Sequence, residues 1–360
     1  MYSKMKKKFL ALLSLVLVAI FMMFSGCSGA TILTFENKFY GTSAVPVGYT
    51  ETATYKVESG EYDTLIRDSS ISEQTLTYDI SGTLTTKLLV YDANLISTKF
   101  NDEGIETDIT YADKGRVYYY ETVLQVDANY TINGEQIQSP SETITTKIYF
   151  LDIAQSLSPI WSQTVGNYSY LVGSTESGLQ VNKVETKYTT IYNKNKYSIA
   201  QEYKIYKFNE SSDVTPIQKS HNKNYTAKTI LDNNQLLFAI RNFKPVEKDA
   251  SAYLPTLSPV YGQTTTLAVK NIGTKTETLK NFNGNVAQLD VPVTEYEFYA
   301  SSNKNTGVQK YVLVQNGVAT NLPAKAHIVK YVEPLTILGG TFPCIGALIY
   351  TLNSVDIVNP

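Results

Sequence analysis

The chain is poor in the side chains that most enzymes use for nucleophilic, metal-assisted or redox chemistry. It contains two histidines, His221 and His327, and two cysteines, Cys27 and Cys344. None of them stands in a zinc-ligand spacing, a Walker loop or a nucleophile elbow. We therefore expect no catalytic residue, no metal site and no cofactor, and we interpret His221 as a solvated loop residue and His327 as a structural strand residue.

Carboxylates are the one catalytic class that the chain carries in number. A glycosidase pair needs two of them about 5 to 9.5 Å apart. Glu51, Asp79, Glu121 and Glu295 lie on strand-like runs, where the solvent face of a sheet ordinarily carries such residues. The acidic stretch 101–104 lacks the ligand spacing of a calcium loop and is interpreted as a turn. A surface hydrolase acting on cell-wall or glycan material stays an alternative without assigned residues.

Aromatic residues supply the remaining binding signal, with 28 Tyr, 13 Phe and one Trp. A tyrosine ring has an apolar body and a polar tip, which suits sugars, peptides or a lipid-lined groove. Tyr118, Tyr119 and Tyr120 place rings on both faces of one predicted strand. We take Tyr118, Tyr120, Trp161 and Tyr261 as candidate ligand-binding residues, and cross-strand packing is the alternative interpretation.

The N-terminus combines a cationic segment, an apolar run and a cysteine. Lys4 and Lys6–Lys8 precede the apolar run Phe9–Phe24. The tetrad Phe24-Ser25-Gly26-Cys27 begins at the last residue of this run. A helix over residues 9–24 would be about 24 Å long, short of the roughly 30 Å hydrocarbon core of a bilayer. A permanent transmembrane helix is therefore the weaker interpretation. The tetrad resembles the bacterial lipobox, although that family usually has Leu where Phe24 stands.

The resemblance implies a signal peptide over residues 1–26, cleaved before a cysteine whose sulfur carries diacylglycerol. Cys27 would then be the first residue of the mature protein and its lipid anchor, because acyl chains contribute about 0.8 kcal/mol per buried CH₂. The expected location is the extracytoplasmic face of the cell membrane, with an ordinary secretory peptide or an uncleaved anchor as the alternative. The net charge is −2 and cleavage removes four lysines, so we expect no nucleic-acid partner.

Alternating apolar and polar residues predict a predominantly all-β fold. Along 76–90 and again along 118–130, one face is apolar and the other is polar. We expect long antiparallel strands that form a curved sheet or open barrel. The stretch Leu335–Leu352 is apolar but contains Gly and Pro, so we expect strands there rather than a second membrane span.

One or two short helices are expected to accompany the sheet. Asp232 is a suitable N-cap for a helix over Asp232–Phe243, whose apolar stripe ends before Lys244-Pro245. Arg241 within it either meets an anionic ligand or extends its charge to the surface. Residues 151–165 break the alternation and predict a short helix or turn, and 211–224 are polar and predict a loop.

The mature chain divides into a lipidated N-terminus and linker at 27–46 and two β-rich halves at 47–170 and 171–360, which form two units or one continuous domain. Leu157–Thr164 echoes Leu257–Thr264, through duplication or by chance. A bent, helix-covered sheet is faintly similar to the half-barrels of lipoprotein-localisation factors, which hold acyl chains. We expect a non-enzymatic role in binding an apolar or glycan ligand or in envelope structure; adhesion through exposed sheet edges is a further alternative.

Overall fold

The computed structural model describes most of the chain from residue 45 onward. The predicted signal peptide and Cys27 lie outside the described residues, which are 45–59, 64–68, 71–107, 115–132, 134–137, 139–153, 156–174, 178–193, 195–225, 230–243, 247–300, 309–314, 322–337 and 340–359. Within these ranges no helix is long and apolar enough to cross a membrane.

Seventeen β-strands account for most of the described residues and confirm the all-β prediction. They are β1 (Thr50–Ser59), β2 (Thr64–Asp68), β3 (Ile71–Asp92), β4 (Arg116–Ile132), β5 (Glu135–Ile137), β6 (Glu142–Ile153), β7 (Ser156–Ser174), β8 (Gly178–Asn193), β9 (Lys196–Lys207), β10 (Ile217–Asn224), β11 (Leu231–Asp232), β12 (Ser251–Ser258), β13 (Gln263–Phe282), β14 (Val286–Ala300), β15 (Gln309–Val314), β16 (Pro323–Ile337) and β17 (Gly340–Val358).

The strands form one sheet that is antiparallel except between β11 and β12. Its order is β10-β9-β8-β7-β6-β4-β3-β1-β17-β16-β15-β14-β13-β12-β11. The short strands β2 and β5 pair beside β3 and β4. Because β1 pairs with both β3 and β17, it joins the early strands to the late ones. Residue 170 lies inside β7, and the division into two halves there stays a prediction.

The two faces of the long strands pack into different apolar clusters, as the alternation predicts. The concave face carries the larger cluster, which includes Ile80, Leu84, Leu88 and Val90 of β3 and Tyr118, Tyr120, Val126 and Ala128 of β4. The opposite face carries Tyr119, Tyr149 and Trp161, packed with Phe100 from the helix α1 (Ile96–Asp102). The sheet is therefore apolar on both faces at its centre, which explains the high aromatic content.

A short helical segment fills part of the concave face. It comprises a 3₁₀ turn at Asn233–Gln235, the helix α2 at Leu236–Ala239 and a second 3₁₀ turn at Ile240–Asn242. Asp232 caps it as predicted, since its carboxylate accepts from the backbone N–H of Asn234 and its own N–H donates to the Gln235 side chain. We call residues 232–243 the roof segment.

The two ends of the sheet meet at the turn between β12 and β13. The side-chain amide of Gln201 on β9 donates to the carbonyls of Pro259 at 2.6 Å and Val260 at 2.9 Å. The hydroxyl of Tyr197 donates to the carbonyl of Gly262 at 3.4 Å. Since β9 lies near one edge of the sheet and β12 near the other, these bonds hold the sheet in a curled, half-barrel shape.

Two local predictions from the sequence are wrong. The described residues of 151–165 are strand, and Pro159 lies at a bulge where the register between β6 and β7 shifts. Proline has no N–H for the ladder, so it breaks the alternation without ending the strand. The polar stretch 211–224 contains β10, and His221 lies on this edge strand rather than in a loop. The exposure of β10 to solvent explains its polar composition.

The echoed segments have different backbone structures. Leu157–Thr164 is strand throughout, whereas Leu257–Thr264 leaves β12, turns and enters β13. The echo therefore does not mark two equivalent corners. The apolar stretch Leu335–Leu352 falls within β16 and β17, which confirms strands in its described part.

Candidate functional site

An open apolar cavity of about 260 Å³ lies between the concave face of the sheet and the roof segment. Seven of its lining residues are apolar or aromatic, and three are neutral polar residues of the amide or hydroxyl type. They come from five strands and from the roof segment. The lining consists of Leu84, Thr122, Leu124, Ile144, Asn233, Asn234, Leu236, Leu237, Leu267 and Tyr350. No charged side chain is among them.

The floor of the cavity follows from strand register. Leu84 of β3 lies opposite Leu124 of β4, and Leu124 lies opposite Ile144 of β6. Directly opposed residues on one face of an antiparallel pair have Cβ atoms about 4.5 to 5.5 Å apart. The three side chains therefore form one continuous apolar row across the sheet. Leu124 and Ile144 are only half-buried, because the cavity lies above them.

The beginning of the roof segment is fastened to the sheet by the buried carboxylate of Asp232. Its Oδ2 accepts from the hydroxyls of Ser162 on β7 and Tyr192 on β8, each at 2.6 Å. Burial raises the pKa of Asp232 above its ordinary value, although these hydroxyl donors act in the opposite direction. Gln235 adds a hydrogen bond to the carbonyl of Leu157 at 3.1 Å. The first turn of the roof is thus held on β7 and β8.

The end of the roof segment is fastened by a buried ion pair. Arg241 donates from Nη1 and Nη2 to the two carboxylate oxygens of Glu51 on β1, at 2.7 and 2.8 Å. The side chains of Arg241 and Glu51 are 1% and 2% exposed. Burial disfavours the guanidinium charge, but the adjacent carboxylate outweighs it and raises the pKa of Arg241. Arg241 is therefore not a surface residue, and Glu51 does not lie on a solvated face; each neutralises the other.

The four aromatic residues that the sequence singles out do not meet at one site. Tyr118 and Tyr120 lie on the concave face and contact Phe238 of the roof, with ring centroids 6.0 and 5.7 Å away. Trp161 lies on the opposite face beside Tyr149. Tyr261 lies in the β12–β13 turn and is 61% exposed. None of the four lines the cavity. Tyr120 is enclosed among core residues, and this burial raises the pKa of its hydroxyl.

The cavity residues carry only weak sequence signals. The alternation identifies Leu84 and Leu124 as members of an apolar face, and the helix stripe identifies Leu236 and Leu237. Nothing in the sequence distinguishes a leucine that lines a cavity from one in a packed core. Asn233 carries no signal beyond its place after an N-cap.

A second depression, of about 640 Å³, lies on the outer face of β6 to β9 and is lined mainly by polar and charged residues. Its two glutamates each lie opposite a lysine, Glu185 opposite Lys204 and Glu202 opposite Lys187. The Tyr206 hydroxyl, which donates to Glu185 at 2.6 Å, lowers the pKa of that carboxyl. A glycosidase acid needs a raised pKa. These carboxylates give the hydrolase alternative no support.

Comparison with known proteins gives no family. No family model matches the chain, and no curated protein matches it. One solved structure that is similar is a β-barrel-like protein of a domain of unknown function from Brucella abortus. The likeness covers 88% of this chain and 100% of that chain, at a TM-score of 0.41 and 10% sequence identity. At that level of similarity it carries no argument about function.

Proposed function

We propose that the chain is a membrane-anchored extracytoplasmic lipoprotein that binds an apolar ligand between its curled sheet and the roof segment. The observation that carries the proposal is the open, uncharged cavity of about 260 Å³. Apolar cavities of about 150 Å³ already take benzene-sized molecules, and pockets for drug-sized ligands begin at about 300 Å³. The cavity suits a small apolar molecule or one end of a longer chain.

The lipobox supports the anchoring part of the proposal. The described body begins at Val45, and a fully extended chain spans about 3.3 to 3.6 Å per residue. A body tethered at Cys27 would therefore stay within roughly 60 Å of the bilayer. A cavity held there has direct access to apolar molecules that the membrane contains or releases.

Filling the cavity tests the binding part. The full-length chain, in an amphipathic polymer, is titrated with the uncharged dye N-phenyl-1-naphthylamine, whose fluorescence rises in apolar surroundings. Leu124→Trp places a large ring in the cavity and should weaken dye binding at least about tenfold, which corresponds to about 1.4 kcal/mol. Leu237→Phe, from the roof side, should weaken it by a smaller factor.

A matched control uses a leucine of the same core. Leu289 on β14 is also half-buried against the concave cluster but does not line the cavity. Leu289→Trp should therefore bind the dye as the natural chain does. Equal binding by the natural chain and both cavity variants, all with unchanged circular dichroism, would rule the cavity out as the binding site.

The anchor has an independent test. Cells expressing the chain are fed a labelled fatty acid, and membranes are separated from soluble protein. The natural chain should carry label in the membrane fraction, whereas Cys27→Ser should carry none and leave that fraction. Cys344→Ser is the control because it removes the other cysteine of the chain. Label that persists in Cys27→Ser would contradict acylation at this residue.

A further inference from the structure

Three exposed aliphatic side chains lie at the same end of three neighbouring strands. Leu95 is 68% exposed, Val358 is 55% exposed and Val47 is 44% exposed. Val358 on β17 lies opposite Thr50, the first residue of β1, and Val47 lies just before that residue. Leu95 lies in the turn after β3, the strand that pairs with the other side of β1. We call Val47, Leu95 and Val358 the apolar rim.

Backbone hydrogen bonds fix the two loop residues of the rim at the end of β3. The N–H of Gly48 donates to the carbonyl of Val90 at 2.9 Å, which holds the approach to β1 beside β3. The N–H of Leu95 donates to the carbonyl of Asp92 at 3.1 Å, which closes the turn. Isolated exposed apolar side chains are ordinary. Here three of them are brought to one end of the sheet by strand pairing and by these bonds.

The segment that leads from the proposed lipid anchor enters the body at this same end. Residues 28–44 join Cys27 to Val45, where the described body begins, and β1 starts at Thr50. A lipid on Cys27 would therefore hold the rim end of β1 nearest to the point of attachment. The bilayer that carries the anchor is the apolar phase within reach of the rim.

The charges beside the rim favour an apolar contact rather than an electrostatic one. Among the described residues, Arg116 at the start of β4 lies opposite Asp92 at the end of β3. Lys99 of α1 is paired with Glu103 at 2.8 Å, and Asp356 on β17 is an exposed acid. Attraction to anionic headgroups needs an excess of lysine and arginine. The rim should therefore contact zwitterionic lipid through its side-chain hydrocarbon.

We propose that the apolar rim contacts the bilayer that holds the Cys27 anchor, with Leu95 in the boundary between headgroups and acyl chains and with Val47 and Val358 beside it. The inference rests on the lipid anchor of the proposed function and adds an orientation, in which β1 and β3 are directed away from the membrane. Three side chains are a small contact by themselves. They suffice here because the anchor makes the contact intramolecular and so raises its effective concentration.

Quenching by lipid-borne quenchers tests this orientation. The lipidated chain carries Cys344→Ser and one new thiol, either Asn94→Cys beside Leu95 or Gln218→Cys beside the equally apolar Ile217 of β10, which is 45% exposed. Each thiol is labelled with nitrobenzoxadiazole, and the chain is reconstituted into phosphatidylcholine vesicles with or without a doxyl group near the headgroup. We expect quenching at residue 94 to exceed that at residue 218 at least about threefold, because only the rim label lies at lipid depth.

Serine variants show whether the rim side chains make the contact. In the Asn94→Cys chain, Val47→Ser with Leu95→Ser should reduce quenching to the level of Gln218→Cys, whereas Ile217→Ser should leave it unchanged. Equal quenching at residues 94 and 218 in a chain that floats with the vesicles would refute the rim contact and leave the anchor standing. A label at residue 94 that lipid does not quench, but that is shielded from iodide in native membranes, would identify a protein partner and also overturn the proposal. A chain that does not float would refute the anchor itself and the rim contact with it.

Discussion

Breaking the buried ion pair between Arg241 and Glu51 should destabilise the protein strongly. The two side chains are almost fully enclosed and are joined by two hydrogen bonds. Arg241→Met keeps most of the side-chain volume but leaves the Glu51 carboxylate with the Tyr49 hydroxyl, at 3.0 Å, as a remaining donor. An uncompensated buried charge of this kind costs about 3 to 5 kcal/mol. Glu51→Leu should cost a similar amount, because the buried guanidinium of Arg241 then loses the carboxylate that neutralises it.

The double variant separates the ion pair from its packing. With Arg241→Met and Glu51→Leu together, neither charge of the pair is left, and replacing a buried pair by apolar residues is often neutral or stabilising. The Tyr49 hydroxyl then loses Glu51 as an acceptor, at a cost of up to about 1 to 3 kcal/mol. We therefore expect the double variant to be more stable than either single variant.

Urea denaturation followed by the fluorescence of Trp161, the one tryptophan of the chain, measures these free energies of unfolding. The control is the exposed pair Lys207–Glu210, which is 2.8 Å apart with side chains 49% and 58% exposed. Lys207→Met should cost no more than about 1 kcal/mol. A loss in Arg241→Met as small as that in Lys207→Met, or a double variant no more stable than the single variants, would refute the reasoning.

Two further perturbations address the β12–β13 turn, where the ends of the sheet meet, and the buried acid Asp232. Gly262 and Gly284 both have positive φ, 61° and 70°. A Cβ added to Gly262 would lie 2.6 Å from the His221 ring, whereas a Cβ added to Gly284 would meet nothing within 4 Å. Gly262→Ala should therefore lower the free energy of unfolding by about 1 kcal/mol more than Gly284→Ala. In a His221→Ala background this difference should disappear, because the ring that the new Cβ meets is gone. Equal losses in the natural background would contradict the contact between Gly262 and His221. Burial raises the pKa of Asp232 above 3.8, so the folded state holds the carboxyl proton more tightly than the unfolded state does. The stabilising contribution of this carboxyl is therefore present at low pH and is lost as the pH rises through the folded pKa. Asp232→Asn should thus lower the free energy of unfolding more at about pH 3 than at about pH 7 in matched urea titrations. A loss that does not change with pH would show that the carboxyl is solvated.

The strands β3 and β4 were predictable from local pattern because one face of each packs into the concave cluster. Residues 80–90 and 118–128 alternate in the sequence as they do in the sheet. The roof segment was predictable from its cap and stripe. The helix α1 was not, because only two of its seven residues, Ile96 and Phe100, are buried, and about two turns give too short a pattern to recognise.

The aromatic residues show where local pattern stops. The sequence places Tyr118 and Tyr120 on one face and Tyr119 on the other, and the structure agrees. Whether an apolar face lines a cavity depends on what covers it. Here a segment more than a hundred residues later covers Tyr118 and Tyr120 with Phe238 and leaves Leu124 half-exposed.

The sequence by itself determined the class of fold, the alternating strands β3 and β4, the cap at Asp232 and the expectation of a lipid anchor at Cys27, because each depends on residues close together in the chain. Only the tertiary structure decided that Arg241 pairs with Glu51, that the sheet ends meet at the β12–β13 turn, and that a cavity opens under the roof. The ion pair joins residues 190 positions apart, and the cavity is lined by residues of five strands and of the roof segment. Such features are set by the register and curvature of the whole sheet, to which no local run of residues is sensitive.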